Sequence, residues 1–245
     1  MTTGTGTTRA HGKRYNDSAK KREHMLPYSP EDAIKILKEM TSAKFDETVE
    51  LHAFTNADPR HADQLIRSVT MLPNGTGKTK RVIAFVQGEG ETLAREAGAD
   101  YIGDAETIRK IEQDGWADFE VAVATPEMMG QIGKLGRVLG RRGLMPNPRT
   151  GTVVQQQDIP RAIKEAKGGR VEFRMDRTAN LHMPIGKLSF TVAALVENMA
   201  ACIQAIIESK PEGIKGQLFK TMHLTSTMGP SLLVNLAEAQ ALKVE

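Results

Sequence analysis

The stretch Gly133–Val153, GKLGRVLGRRGLMPNPRTGTV, carries Lys134, Arg137, Arg141, Arg142 and Arg149 and no acidic residue. Cations gathered without counter-charges are best satisfied by a polyanion. The glycines at 133, 136, 140, 143 and 151 let backbone come close to such a partner. Pro146-Asn147-Pro148 forbids a regular helix or central strand through the second half. Composition alone leaves two readings open here, a polyanion contact and a solvated basic loop.

A second segment, Thr225-Ser226-Thr227-Met228-Gly229-Pro230-Ser231, ends a strand pattern with hydroxyls, then Met, Gly and Pro. Hydroxyls and bare backbone can read ribose 2′-OH groups and base edges, and a Met can pack on an unstacked base. The alternative is a strand-to-helix connection capped by Ser231.

Other patterns carry less. Gly75-Thr76-Gly77-Lys78-Thr79 imitates a phosphate loop, but Leu72 stands where the motif needs glycine, and a strand rather than a helix follows. Gly88-Glu89-Gly90 lacks the third glycine of a dinucleotide fingerprint, which would fall at Leu93, and Glu89 would repel a pyrophosphate. The histidines at 11, 24, 52, 61, 182 and 223 show no metal-ligand spacing. No nucleophile elbow or Cys/His pair occurs. No metal or cofactor is expected, although a nucleotide-binding α/β enzyme stays as the alternative reading.

These segments need elements to hold them. Ser29-Pro30-Glu31-Asp32 starts a helix with a cap, a proline at the first turn and acids at the positive dipole end. Phe45–Ala53 then alternates with period two, placing Phe45, Val49, Leu51 and Ala53 toward a core. The middle of the chain differs. RVIAFV at 81–86 and Phe119–Ala124 read as strands buried on both faces, alternating with helices at 91–97 and 105–113. A helix begins near Asp158 and ends at Gly168-Gly169. Val171, Phe173 and Met175 then alternate and lead through Thr178–Asn180 to Leu181, Met183 and Ile185, as in a hairpin. A long amphipathic helix follows from Val192 and stops before Pro211. The last strand, 217–227, puts Leu218, Met222 and Leu224 on one face and Phe219, Thr221, His223 and Thr225 on the other.

An α+β pattern therefore flanks an α/β pattern. The expected architecture is a discontinuous outer domain, residues 1–75 and 168–245, with an antiparallel sheet and helices. Into it a parallel α/β domain, 76–167, is inserted. Residues 1–24 form a basic tail. Gly75, Gly77, Gly168 and Gly169 mark the crossings and would permit hinge motion.

The 245 residues are 40% hydrophobic and 26% charged, with a formal net charge of +3. That composition describes a folded globular chain. No apolar run reaches the ~18 residues of a membrane span, and no secretory h-region opens the sequence. The single cysteine, Cys202, excludes an internal disulfide and reads as an inert core thiol.

Gly133–Val153, HGKRY at 11–15, AKFDETVELH at 43–52, EGIKG at 212–216 and TSTMGPS at 225–231 closely resemble the bacterial family of large-subunit ribosomal proteins of the mobile lateral stalk. The resemblance runs from about His11 to about Leu236. One departure is Arg141, where the family pattern has proline; the loop gains a charge and loses a fixed φ. The resemblance implies a Rossmann-like three-layer inserted domain. It implies a non-enzymatic, cytoplasmic protein of the large ribosomal subunit, monomeric away from the ribosome. Its implied partners are large-subunit rRNA at a three-way stalk junction, deacylated tRNA leaving the exit site, and the messenger RNA of its own operon, which it represses. Carried over by position, the rRNA-binding set is Lys44, Phe45, Thr48, Arg174, His182, Thr221, Thr227, Met228 and Gly229. Phe45 is the awkward member, because its parity points to the core while the resemblance implies exposure. The cations Lys134, Arg137, Arg141, Arg142 and Arg149 then become secondary RNA contacts.

Overall fold

The computed structural model describes residues 12–23 and 26–242. Its strands are β1 (Pro27–Tyr28), β2 (Thr48–Thr55), β3 (Arg67–Met71), β4 (Val82–Phe85), β5 (Tyr101–Ile102), β6 (Val121–Ala124), β7 (Arg170–Arg174), β8 (Asn180–Lys187), β9 (Phe219–Ser226) and β10 (Leu232–Val234). Its helices are α1 (Lys13–Ala19), α2 (Pro30–Met40), α3 (Glu89–Glu96), α4 (Ala105–Asp114), α5 (Met129–Ile132), α6 (Gly136–Leu139), α7 (Ile159–Lys167), α8 (Val192–Glu208) and α9 (Leu236–Ala241). The fold is mixed α/β with several sheets. Tertiary contacts divide it into two compact units. One comprises residues up to Leu65 and from Met175 onward, and the other is Ile66–Arg174.

The first unit is built on a sheet of order β1-β10-β9-β2-β8, antiparallel except for the β1–β10 pair. Period-two alternation sends Val49, Leu51 and Ala53 of β2, Leu181, Met183 and Ile185 of β8, and Met222 and Leu224 of β9 to one buried face. Helices α2 and α8 pack against these strands. They contribute Ile34, Leu37, Leu195, Met199 and Ile203, all buried, and each such side chain stabilises the fold by about 1.5–3 kcal/mol. Both helices start on side-chain caps. Ser29 Oγ accepts from the Asp32 amide, and Thr191 Oγ1 from that of Ala194, each at 3.2 Å. Cys202 lies inside α8, where burial pushes its thiol up to about 12. The sheet's other face carries Thr48, Glu50, His52, Phe54, His182, Thr221, His223 and Thr225, none of them buried.

In the second unit β4 pairs in parallel with β5 and β6, and every residue of β4 is buried. Val82 and Ala84 pack with Ile159 and Ile163 of α7 on one face. Ile83 and Phe85 pack with Ile111, Ile132, Leu135 and Leu139 on the other. A continuous apolar strand is what burial on both faces demands. Beside this sheet, β3 and β7 form an antiparallel ribbon running from the pair Arg67–Arg174 to the pair Met71–Arg170.

Several sequence expectations change. Strands β7 and β8 are not a hairpin: β7 pairs with β3 and β8 with β2, so the alternation around Met175 spans two sheets. The limits expected at 75/76 and 167/168 fall inside the second unit, because the β3–β7 ribbon groups with it. The crossing glycines lie there too. Gly169 has φ +109°, and a Cβ on it would stand 2.6 Å from the Gly75 Cα, so these glycines permit a close backbone approach. Within the expected basic tail, α1 is anchored by Ser18, whose Oγ donates to Met40 O at 2.8 Å. Residues 1–11 and His24 lie outside the described residues. Strand β2 begins at Thr48 rather than Phe45. A register shift at Phe54/Thr55 turns Phe219 into the core, against its expected parity. Ser231 caps no helix; β10 follows it, and Asn235 caps α9.

Candidate RNA-binding interface

At one end of the first unit's sheet the loops before β2 and after β9 are tied together. The Thr227 amide donates to Thr48 O at 3.1 Å, and the Thr48 amide to Thr227 Oγ1 at 3.0 Å. Lys187 Nζ donates to Thr48 Oγ1 at 2.9 Å and to Asp46 O at 3.1 Å. Asp46 in turn accepts from Ser189 N and Oγ at 3.1 and 2.7 Å. The deciding contact is Glu47, only 1% exposed, which accepts from the Met228 amide at 2.9 Å through Oε2. A buried carboxylate with such a partner fixes the loop's backbone. Gly229 completes the turn: a Cβ there would lie 2.4 Å from Ser226 Oγ.

With its backbone held, the loop leaves apolar side chains in solvent. Met228 is 53% exposed and Phe45 54% exposed. Phe45 therefore departs from its strand parity, because it sits in the loop before β2. Lys44 is exposed beside it. Apolar groups on a fixed backbone, a nearby cation and hydroxyls are components that can recognise an irregular RNA surface.

The expected residues separate into groups. Lys44, Phe45, Thr48, Thr227, Met228 and Gly229 come together at this sheet end. His182 lies on the same face in register with His52. Thr221, in register with Phe54, is on that face but roughly 20 Å along the strand from Thr227. Arg174 ends β7 opposite Arg67, in the second unit. The residue missed is Glu47. It shares the parity of Val49 and Leu51, and a carboxylate on a core-facing position is itself the signal that a structural role was there to find.

The basic stretch lies in the second unit. Its first half is helical, through Gly133–Leu135 and α6, which the glycines alone did not suggest. Lys134, Arg137, Arg141 and Arg142 are exposed. Arg137, Arg141 and Arg142 line an open groove with Glu112 and Gly115, and Arg142 donates to Ala117 O at 3.3 Å. Arg149 falls in the turn Pro148–Thr150. A separate cavity of about 150 Å³ is lined by Lys80, Thr150, Thr152 and Arg170, but also by Glu120 and Glu172. Those acids oppose a phosphate there. Burial lowers the pKa of Lys80, and Arg170 adds to the effect. Among the described residues no cluster of His, Cys, Asp and Glu fits a metal ion, and no helix is long and apolar enough to cross a membrane.

This sheet end, with its fixed backbone, hydroxyls and exposed apolar side chains, is a candidate binding surface, and comparison with known proteins gives the class to which the chain belongs. Residues 37–230 match the model of the Ribosomal protein L1p/L10e family. The chain is 50% identical over 228 residues to the large ribosomal subunit protein uL1 of Thermomicrobium roseum, covering 93% of this chain and 94% of that protein. It is 51% identical over 234 residues to uL1 of Chloroflexus aggregans, covering 96% and 99%. It is 50% identical over 232 residues to uL1 of Dehalococcoides mccartyi, covering 95% and 98%. The chain belongs to the ribosomal protein L1 family, a family of structural RNA-binding proteins and not of enzymes.

Proposed function

We propose that this protein is a structural component of the large ribosomal subunit that holds rRNA at the base of the lateral stalk through the Phe45–Thr48 and Thr227–Gly229 loops. The observation that carries the reading is that Met228 is half exposed while buried Glu47 fixes its backbone. An apolar side chain kept rigidly in water gains when an RNA surface covers it, and little ordering entropy is lost on binding. Lys44 adds a phosphate contact that positions the RNA. His182 and Thr221 extend the surface along the sheet.

The second unit is the part that meets tRNA leaving the exit site, by the exposed Lys134, Arg137, Arg141 and Arg142. Movement of that unit would pivot where the contacts divide, at Leu65–Ile66 and Arg174–Met175, with the glycines at 75, 77, 168 and 169 shaping the ribbon's far end. The same first-unit site would hold a matching fold in the protein's own messenger and repress its translation. The experiment is to add the protein to large subunits lacking it. Co-sedimentation with protection of the stalk junction from hydroxyl radicals is the expected result. Binding without protection there would overturn the assignment.

A further inference from the structure

On the sheet's open face His182 belongs to a row whose other members the proposed RNA surface leaves unused. His182, His52 and His223 lie in register across β8, β2 and β9. His52 and His182 touch through Nδ1 atoms at 2.7 Å, with ring centroids 4.9 Å apart at 65°. Such a contact is a hydrogen bond only when one Nδ1 carries a proton and the other does not. The far nitrogens face carboxylates: His52 Nε2 is 3.7 Å from Glu50, and His182 Nε2 is 3.5 Å from Asp176. The row Glu50–His52–His182–Asp176 thus accommodates one added proton between two acids and resists a second.

The surroundings of His52 and His223 disfavour their charged forms in the free protein. Burial, then His182, lowers the His52 pKa, against the opposing pull of Glu50. Burial, then Arg22 of the N-terminal segment, lowers that of His223. Desolvation works to raise the Asp176 pKa, but hydrogen bonds from Asn180 and Thr178 hold its carboxyl well below the usual range. From β10 only Leu233 stands opposite His223, and Lys220 lies over the Phe54 ring at 4.9 Å. Phosphates crossing this face would add to the negative potential of Glu50 and Asp176 and further favour a protonated row.

Resting on the reading of the loop site as an RNA site, we propose that His52 and His223 continue the RNA contact beyond His182 and that the row of three takes up a proton from solvent as RNA binds. Affinity then falls as pH rises through the neutral range. Thr48 to His52 is two same-face steps along β2, roughly 13 Å, so RNA seated on the loop and following the sheet meets the row.

The test is filter binding of a stalk-junction rRNA fragment at fixed ionic strength between about pH 6 and about pH 8. Wild-type affinity is expected to fall roughly tenfold across that range. The double variant His52→Gln with His182→Gln should bind with less than about a twofold change over the same range. Proton NMR of the histidine rings in the wild-type protein should show them titrating at higher pH when RNA is bound. A flat wild-type profile, an unchanged slope in the double variant, or ring titrations that ignore RNA would each overturn the proposal. Met228→Asp separates the two readings: if it binds as wild type does at every pH, the loop site itself is wrong.

Discussion

The two regions proposed to meet RNA are opposites in make-up. The Gly133–Val153 stretch is rich in cations that project from short helical turns, with glycines between them. The loop pair at the end of the first unit's sheet has few cations but a rigid backbone, held by a buried Glu47 and by reciprocal bonds between Thr48 and Thr227. Charge gives affinity for any polyanion and little discrimination. Apolar side chains exposed on a fixed backbone give shape recognition. The conspicuous segment of a sequence and its specific site therefore need not coincide.

The contrast breaks most sharply at Met228. Met228→Asp should cost ~3 kcal/mol or more of RNA binding, on the order of a hundredfold, because an acid would be buried against phosphates. Next comes Glu47. Glu47→Ala leaves the Met228 amide without its buried acceptor and should lower stability by about 1–3 kcal/mol. Denaturant unfolding would measure it, and Glu47→Gln, which keeps an acceptor oxygen, should recover most of the loss. A full loss in both variants would point to the charge rather than the hydrogen bond.

Gly169→Ala tests the second unit by itself. With φ +109° and the Gly75 backbone in the way, it should destabilise by roughly 1–3 kcal/mol. A neutral result in thermal unfolding would return these glycines to the role of a flexible crossing. Smaller still is the salt dependence. Lys44→Gln should reduce the slope of log affinity against log salt by about 1, whereas Arg174→Gln should leave it unchanged. A reduced slope for Arg174→Gln would add the β3–β7 ribbon to the interface. Smallest is a pH effect on folding. His52 and His223 resist protonation in the folded state. Below about pH 6.5 the unfolded chain therefore takes up protons that the folded chain refuses, and stability falls as pH falls through that value. A denaturant midpoint that stays constant there would show that neither ring is held neutral by the fold.

Legibility in the sequence followed the range of the interactions. Helix α2 was readable from Ser29 and its apolar spacing, and β4 from its unbroken apolar run, because caps and periodicity are local. The partner of β7 was not readable. Alternation through Val171, Phe173 and Met175 fits a hairpin and a ribbon equally, and only the distant β3 decides. Phe45 misled for a related reason, since parity holds only inside a strand and β2 starts at Thr48. Of the candidate site, composition singles out Thr227–Gly229 with a strand-to-helix cap as its alternative, whereas the family resemblance supplies Lys44 and Thr48. Glu47 was visible as a charge of core parity, but its partner, the amide of Met228, is contributed from far along the chain.

If the loop pair, and not the basic stretch, sets specific RNA affinity, the two regions must respond differently to substitution. The direct measurement compares Met228→Asp with a variant in which Lys134, Arg137, Arg141 and Arg142 are all replaced by Gln, each titrated with the stalk-junction RNA at one salt concentration. The expected losses are on the order of a hundredfold for Met228→Asp and less than about tenfold for the charge-stripped variant. The reverse order of losses would make the basic stretch the specific site.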